Sequence, residues 1–393
     1  MLGAASALKE QHELCLYVAT VSPLVGSLTK VKGEKITYYI LPFGKGNEKE
    51  NKEYEPFWKK VRDEVYPDVV HIHGTEFSHG LAYVKACGSE NVVVSIQGLV
   101  SAYYYYYYYG ITARTIMRNI TIRDFFKGNT LYRYKCFKRK ADFEKKLLLG
   151  VRHIIGRTSW DRARTWAINP DAEYHFCNET LREEFYKGRW TYEQCLPHTI
   201  FLSQVTAVLK GFHMLLQALP LVRRCYPDVK VRVAGQDITH PGVLSERIKL
   251  TDYGKFVRKM IRKYGLEGNI IFLGALSAEK MKEEYLKANV FVCSSSIENS
   301  PNSLGEAQLL GVPCISSYVG GTMDMIPNTQ CGELYRYEEY EMLAYKICEM
   351  FEVSPNFDNT IMRSTALERH DGIQNSRQLL HIYKKISGTH DEQ

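Results

Sequence analysis

Two glutamates eight residues apart, Glu298 and Glu306, are the strongest chemical signal in this sequence. They lie in SSSIENSPNSLGEAQLLGVPCISSYVGG, Ser294 to Gly321. Pro301 is tolerated at or before a first helical turn, and Gly311 is a usual residue just past a helix end, so the spacing predicts a helix over Asn302 to Leu310. Apolar runs, Val290 to Val292 before it and Val312 to Ile315 after it, read as strands. Glu298 then sits on the loop leaving a strand, and Glu306 about one turn inside the helix. In an open α/β sheet, ligands gather outside the carboxyl ends of the strands. The first helical turn offers the N–H groups of Asn302, Ser303 and Leu304 to an anion. A phosphate can be held there between two carboxylates that accept from hydroxyls on either side. Sugar, diphosphate and ribose in series have that layout.

The elements that must position these groups alternate along the chain. Strands are expected at Glu13 to Thr20, Lys35 to Pro42, Val69 to His73, Asn91 to Gln97, Arg152 to Gly156, Thr199 to Ser203, Val229 to Ala234 and Asn269 to Leu273. Helices are expected between most of them, with terminal helices over Glu338 to Phe351 and Thr365 to Ile386. Alternation of this kind implies mostly parallel sheets. A short helix, Leu2 to Lys9, is read before the first strand. A doubly wound domain normally opens with a strand and a Gly-rich loop, and neither precedes that helix. The expectation is a first domain lacking its first strand, with the true start upstream; a longer open reading frame would support this.

The stretch Ser294 to Gly321 resembles the Glu-x7-Glu donor site of retaining glycosyltransferases of family 4 (glycosyl transferases group 1), and Gly156 to Tyr186 resembles a stretch of its bacterial surface-polysaccharide branch. The resemblance covers about His198 to Glu333 well and the first half more loosely. It implies a GT-B fold: two Rossmann-like doubly wound domains facing across a cleft. The expected division is an acceptor-side domain over 1–197, a nucleotide-sugar donor domain over 198–365, and a helix over 366–393 crossing back to the first domain. By match, Glu306 binds the ribose, Glu298 contacts the donor sugar, and Lys210 holds the diphosphate. Gln204 or Val205 stands where the family carries an Arg. Gln97-Gly98 stands where many members carry His-Gly, so Gln97 can hydrogen-bond the sugar but cannot carry a proton. Gly320 and Gly321 permit close backbone approach to the ligand. The catalytic set implied is Glu298, Lys210 and Gln97. Donor-binding residues are Glu306, Asn302, Ser303, Leu304, Gln204, Gly98, Gly320 and Gly321. The donor is a UDP- or GDP-sugar, the acceptor a glycan or polyprenyl-linked group, and no cofactor or metal is called for. The alternatives are a nucleotide-sugar-binding protein without transferase activity and a nucleotide-sugar hydrolase or epimerase of the same fold.

Length and composition agree with two globular domains: 393 residues, 45% hydrophobic and 24% charged. The ten cysteines show no zinc spacing and suit reduced thiols in a cytoplasmic protein. His71, His73 and Glu76 are too few for a zinc site, and His73 reads as structural or substrate-facing. The net charge of +7 is uneven: residues 101–164 hold 15 basic and 4 acidic residues. That segment opens with seven tyrosines, Tyr103 to Tyr109, followed by Arg114, Arg118, Arg123 and Lys127 among aromatic and aliphatic residues. It reads as an aromatic, basic surface for an anionic membrane on the inner face of the plasma membrane, rather than for nucleic acid. Arg157 follows a strand end and is read as facing the cleft or as an ion-pair partner.

Overall fold

A computed structural model describes residues 14–42, 52–240 and 248–388. The expected helix Leu2 to Lys9 lies outside them. The chain forms two compact units. One draws on residues up to Ala102, Lys138–Thr180 and from His370 on; the other on Tyr103–Phe137 and Leu181–Arg369. Segment 103–137, expected with the first domain, therefore packs with the second unit, and so does 181–197. Ile111 and Ile116 explain the first of these shifts, because they join the core of that second unit. Leu181, Phe185 and Trp190 do the same for the second.

The first unit has two sheets. β1 (Leu16–Ser22) pairs parallel with β3 (Ile36–Pro42), and β2 (Thr29–Lys32) joins β3 antiparallel. β4 (Val70–His73), β5 (Val92–Ser95), β6 (His153–Gly156) and β7 (Glu173–Phe176) run parallel in chain order. Among the described residues no strand joins these two sheets. The helix Gly372–Ser387 packs on this unit. Its Leu379 and Ile382 bury against Val93 and Ile155, and Tyr383 bonds His71 at 2.6 Å.

The second unit is built on six parallel strands: β8 (Thr199–Leu202), β9 (Lys230–Val233), β10 (Ile270–Phe272), β11 (Val290–Cys293), β12 (Cys314–Ser317) and β13 (Glu333–Tyr335). They lie in the order β10-β9-β8-β11-β12-β13. Strands β8, β11 and β12 are buried throughout, as sheets covered on both faces by helices require. One face packs on the helices Phe212–Cys225 and Tyr340–Val353. The other packs on Asn302–Leu310 and on Trp190 and Tyr285.

The seven tyrosines do not form the expected belt. Tyr104 is buried, and only Tyr105 and Tyr109 are largely exposed. Tyr104, Tyr107 and Tyr108 pack on Tyr134 or Phe137, and the Tyr109 carbonyl accepts from Tyr337 at 3.1 Å. Aromatic rings near apolar neighbours gain more from burial than from water.

Candidate functional site

The helix Asn302–Leu310 begins after Pro301 and ends at Gly311, whose φ of 80° is left-handed. Its N-terminus points out of the carboxyl end of the sheet beside β8 and β11. Leu202, Ser203, Gln204, Lys210, Ser295, Glu298 and Ser303 line a recess there. Gln204 lies in it, and Val205 is buried in the core. The Gln204 side chain bonds Thr206 at 3.3 Å.

Each glutamate of the pair holds a cation. Lys210 Nζ lies 2.6 Å from Glu298 Oε1, and Ser295 Oγ donates to the same oxygen at 2.6 Å. The buried Glu298 raises the Lys210 pKa by its charge, against the opposing effect of burial, so Lys210 stays an ammonium. Glu306 is 4% exposed, and Arg182 donates to its Oε1 through Nε at 2.9 Å and Nη2 at 2.8 Å. Burial pushes the Glu306 pKa up, and Arg182 pulls it back down. Sequence reasoning misses Arg182, because its partner lies 124 residues away.

The backbone donors are fewer than expected. The Leu304 N–H is taken by the Pro301 carbonyl at 3.0 Å, a turn closed by the helix itself. Asn302 and Ser303 remain as the first-turn donors, since the opening N–H groups of a helix have no intrahelical acceptor. Gly320 has a specific reason to be glycine. Its φ is +55°, and a Cβ there would stand 1.9 Å from the Glu298 carbonyl oxygen. The Gly321 N–H donates to that same carbonyl at 3.0 Å. The close approach expected of this Gly-Gly pair is thus made to the loop that carries Glu298.

Gln97 and Gly98 lie in the other unit, at the end of β5. Gln97 Nε2 donates to Glu179 Oε1 at 3.0 Å, so its amide oxygen is the atom left to accept from a ligand. Arg157, buried, bridges Glu179 at 2.9 Å and the Ile96 carbonyl at 3.1 Å. The Gly98 carbonyl accepts from Thr75 at 3.3 Å. His73 stacks on His71 at 3.8 Å, and burial lowers its pKa to about 4. Glu179 is the member that sequence reading misses; the only local signal is its place just after a strand. A further group, His153, Glu173 and His175, has ligand-type atoms within 4.8 Å of one another, with Lys385 paired to Glu173. The alternating Glu-x-His of β7 opposite His153 could reveal it.

Residues 196–363 match the family described as Glycosyl transferases group 1. The chain carries a glycosyl transferases group 1 domain. In Arabidopsis thaliana, a curated relative named as a phosphatidylinositol N-acetylglucosaminyltransferase subunit is 26% identical over 130 residues, covering 33% of this chain. The match takes in only 26% of that relative's own length. A sucrose-phosphate synthase from Thermosynechococcus elongatus superposes with a TM-score of 0.71 at 16% identity, covering 99% of this chain and 92% of its own. The Anabaena protein Alr3699/HepE, solved with UDP-glucose, gives 0.64 at 13% identity, covering 94% and 100%. The fold is therefore that of the GT-B glycosyltransferases, as the sequence implied. The Glu298–Glu306 stretch lies within the matched domain.

Proposed function

We propose that this protein is a glycosyltransferase that moves a sugar from a UDP- or GDP-sugar to a glycan or polyprenyl-linked acceptor with retention of configuration. The observation that carries the reading is the pair of cation-held carboxylates, Lys210–Glu298 and Arg182–Glu306, at the start of the helix Asn302–Leu310. Glu306 accepts from the ribose hydroxyls and Glu298 from the donor sugar. As the sugar–phosphate bond breaks, positive charge spreads over the sugar ring and negative charge collects on the leaving diphosphate. Lys210 and the Asn302 and Ser303 N–H groups meet that charge where it grows, which is where fixed donors lower a barrier most. No step in this account requires a metal.

The relative named as a phosphatidylinositol N-acetylglucosaminyltransferase subunit supports a lipid-borne acceptor, and the neighbour bound to UDP-glucose supports the donor class. Surface-polysaccharide synthesis on the cytoplasmic side of a membrane is the setting this reading favours. Gln97 and Gln204, standing where the family carries His and Arg, favour a second reading: donor binding without turnover.

The test is binding and turnover of a panel of UDP- and GDP-sugars with a lipid-linked acceptor. Saturable binding of one donor that is lost in Glu306→Ala, with product formed, is the expected result. Binding without product selects the second reading, and binding of no donor overturns both.

A further inference from the structure

The three most exposed large apolar side chains of segment 103–137 sit together on one short helix. Ile122 is 70% exposed, Phe125 82% and Phe126 85%. They belong to the helix Ile122–Lys127, and Met117, 55% exposed, ends the helix Ala113–Met117 just before it. Scattered exposed apolar residues need no explanation, but a contiguous set with two adjacent phenylalanines does.

These rings are not on a loose loop. Thr121 donates to the Leu250 carbonyl at 2.7 Å, and Lys255 to the Ile120 carbonyl at 3.1 Å. On the far side, Thr130 bonds both oxygens of Asp252, at 2.7 and 2.9 Å. Asp124, the one acid of segment 103–137, is buried and turned inward to cap its own helix, accepting from Thr121 N at 2.9 Å and Oγ1 at 2.8 Å. The basic side chains around the rings face outward: Arg114, Arg118, Lys127 and Lys135 are exposed. The fold thus hides the segment's only negative charge and displays the apolar and positive side chains.

We infer that this face is a membrane-docking wedge, in which Ile122, Phe125 and Phe126 enter the interface of an anionic bilayer while Arg114, Arg118, Lys127 and Lys135 meet lipid phosphates. Apolar residues flanked by cations, with no exposed acid among them, match the boundary between acyl chains and anionic headgroups. A second copy of the chain is a poorer occupant, because two such faces would bring their cations together. Nucleic acid is also poorer, because aliphatic Ile122 and Met117 offer no ring for base stacking. The wedge deepens the proposed function by naming the segment that would bring this enzyme to a lipid-borne acceptor. It rests on that reading only for its purpose, since docking is measured without sugar transfer.

The experiment is co-sedimentation of the full chain with vesicles of phosphatidylcholine alone and of phosphatidylcholine with phosphatidylglycerol. The expected result is binding to the anionic vesicles only, weakened by salt. Phe125→Ser/Phe126→Ser lowers the partition coefficient roughly ten-fold or more, given the apolar area removed. Arg118→Ala/Lys127→Ala lowers it less and flattens the salt dependence. Both variants should keep the wild-type melting temperature, because the changed side chains are exposed. As a second readout, the indole introduced by Phe126→Trp is quenched by lipids brominated on the acyl chain. The inference is overturned by any of four outcomes: no anionic-vesicle binding, a double-Phe variant that binds like wild type, an indole at position 126 that the bromines leave unquenched, or a concentration-dependent dimer or nucleic-acid complex that the double-Phe variant abolishes instead.

Discussion

Both units place polar side chains at the carboxyl ends of parallel strands, yet the two clusters are wired differently. Around Glu298 and Glu306, each carboxylate faces one cation from another part of the chain, and Lys210 and Glu298 line a recess with Ser303 of the helix at its edge. On the proposed reading, those cations would exchange a carboxylate for a phosphate. Around Glu179, the buried Arg157 is fixed at once by Glu179 and by the Ile96 carbonyl, and Gln97 is fixed through Glu179. That arrangement leaves one amide oxygen facing outward and no cation to give up. The lesson is that one cluster is built to trade partners and the other to hold a shape.

The sharpest way to break this contrast is to remove one member from each side. Lys210→Ala should lower turnover about 100-fold or more, with a smaller loss of donor affinity, if its charge is met mainly in the transition state. Steady-state kinetics beside equilibrium binding would show it, and equal losses in both would make Lys210 a simple binding residue. Its melting temperature should fall modestly, because Ser295 still donates to the Glu298 left without its cation. Glu179→Ala should do the reverse. It removes the carboxylate paired with the buried Arg157 and costs about 3 kcal/mol of stability in chemical denaturation, while nucleotide affinity stays within error. If Lys210→Ala melts the protein and Glu179→Ala does not, the comparison is wrong.

A smaller effect concerns how Glu306 stays ionised. Its pKa is raised by burial and held back by Arg182; Tyr285, which hydrogen-bonds it, and Glu184 are the other groups that bear on it. Arg182→Ala should lower nucleotide affinity roughly ten-fold at neutral pH. It should also make affinity fall more steeply as pH drops, because a carboxyl with a raised pKa loses its charge first. Arg182→Lys should restore part of both. A pH profile parallel to wild type would reduce Arg182 to a packing residue.

The smallest effect sharpens the comparison on the stability side, with one histidine in each unit. Burial lowers both His73 and His213 to about 4 from an ordinary 6.5. The unfolded chain therefore takes up these protons first, and stability present above pH 6.5 is lost as pH falls toward 4. His73→Gln and His213→Gln should each flatten that acid limb, by about 1 kcal/mol at pH 5.5. Unfolding curves at pH 7.5 and 5.5 would measure it.

Where local pattern and function coincide, the sequence is readable. Pro301, Gly311 and two apolar runs bound a single helix and its flanking strands, and Glu298 and Glu306 come with them. Pairing over distance is not readable in this way. Arg182 meets Glu306 across 124 residues, and Gln97 meets Glu179 across 82; no periodicity encodes either. The short antiparallel β2 and the edge strand β7 escape notice for want of a long alternating run. Segment 103–137 misleads for another reason: tyrosine and phenylalanine score alike as aromatic, while only packing decides that most of the Tyr103–Tyr109 run turns inward and Phe125 and Phe126 turn out.

The return of the last helix to the first unit has a consequence for the order of assembly. Val93, Ile155 and Cys177 share a core with Leu379 and Ile382, so that core stays open until residues 372–387 have left the ribosome. The second unit, complete by Arg369, can close while the first still waits. Newly made chains therefore carry an unfinished sheet face until that helix emerges, the stage at which exposed apolar surface invites chaperones or aggregation. Loss of the final helix should thus be felt first as poor yield of folded protein, before any defect in chemistry.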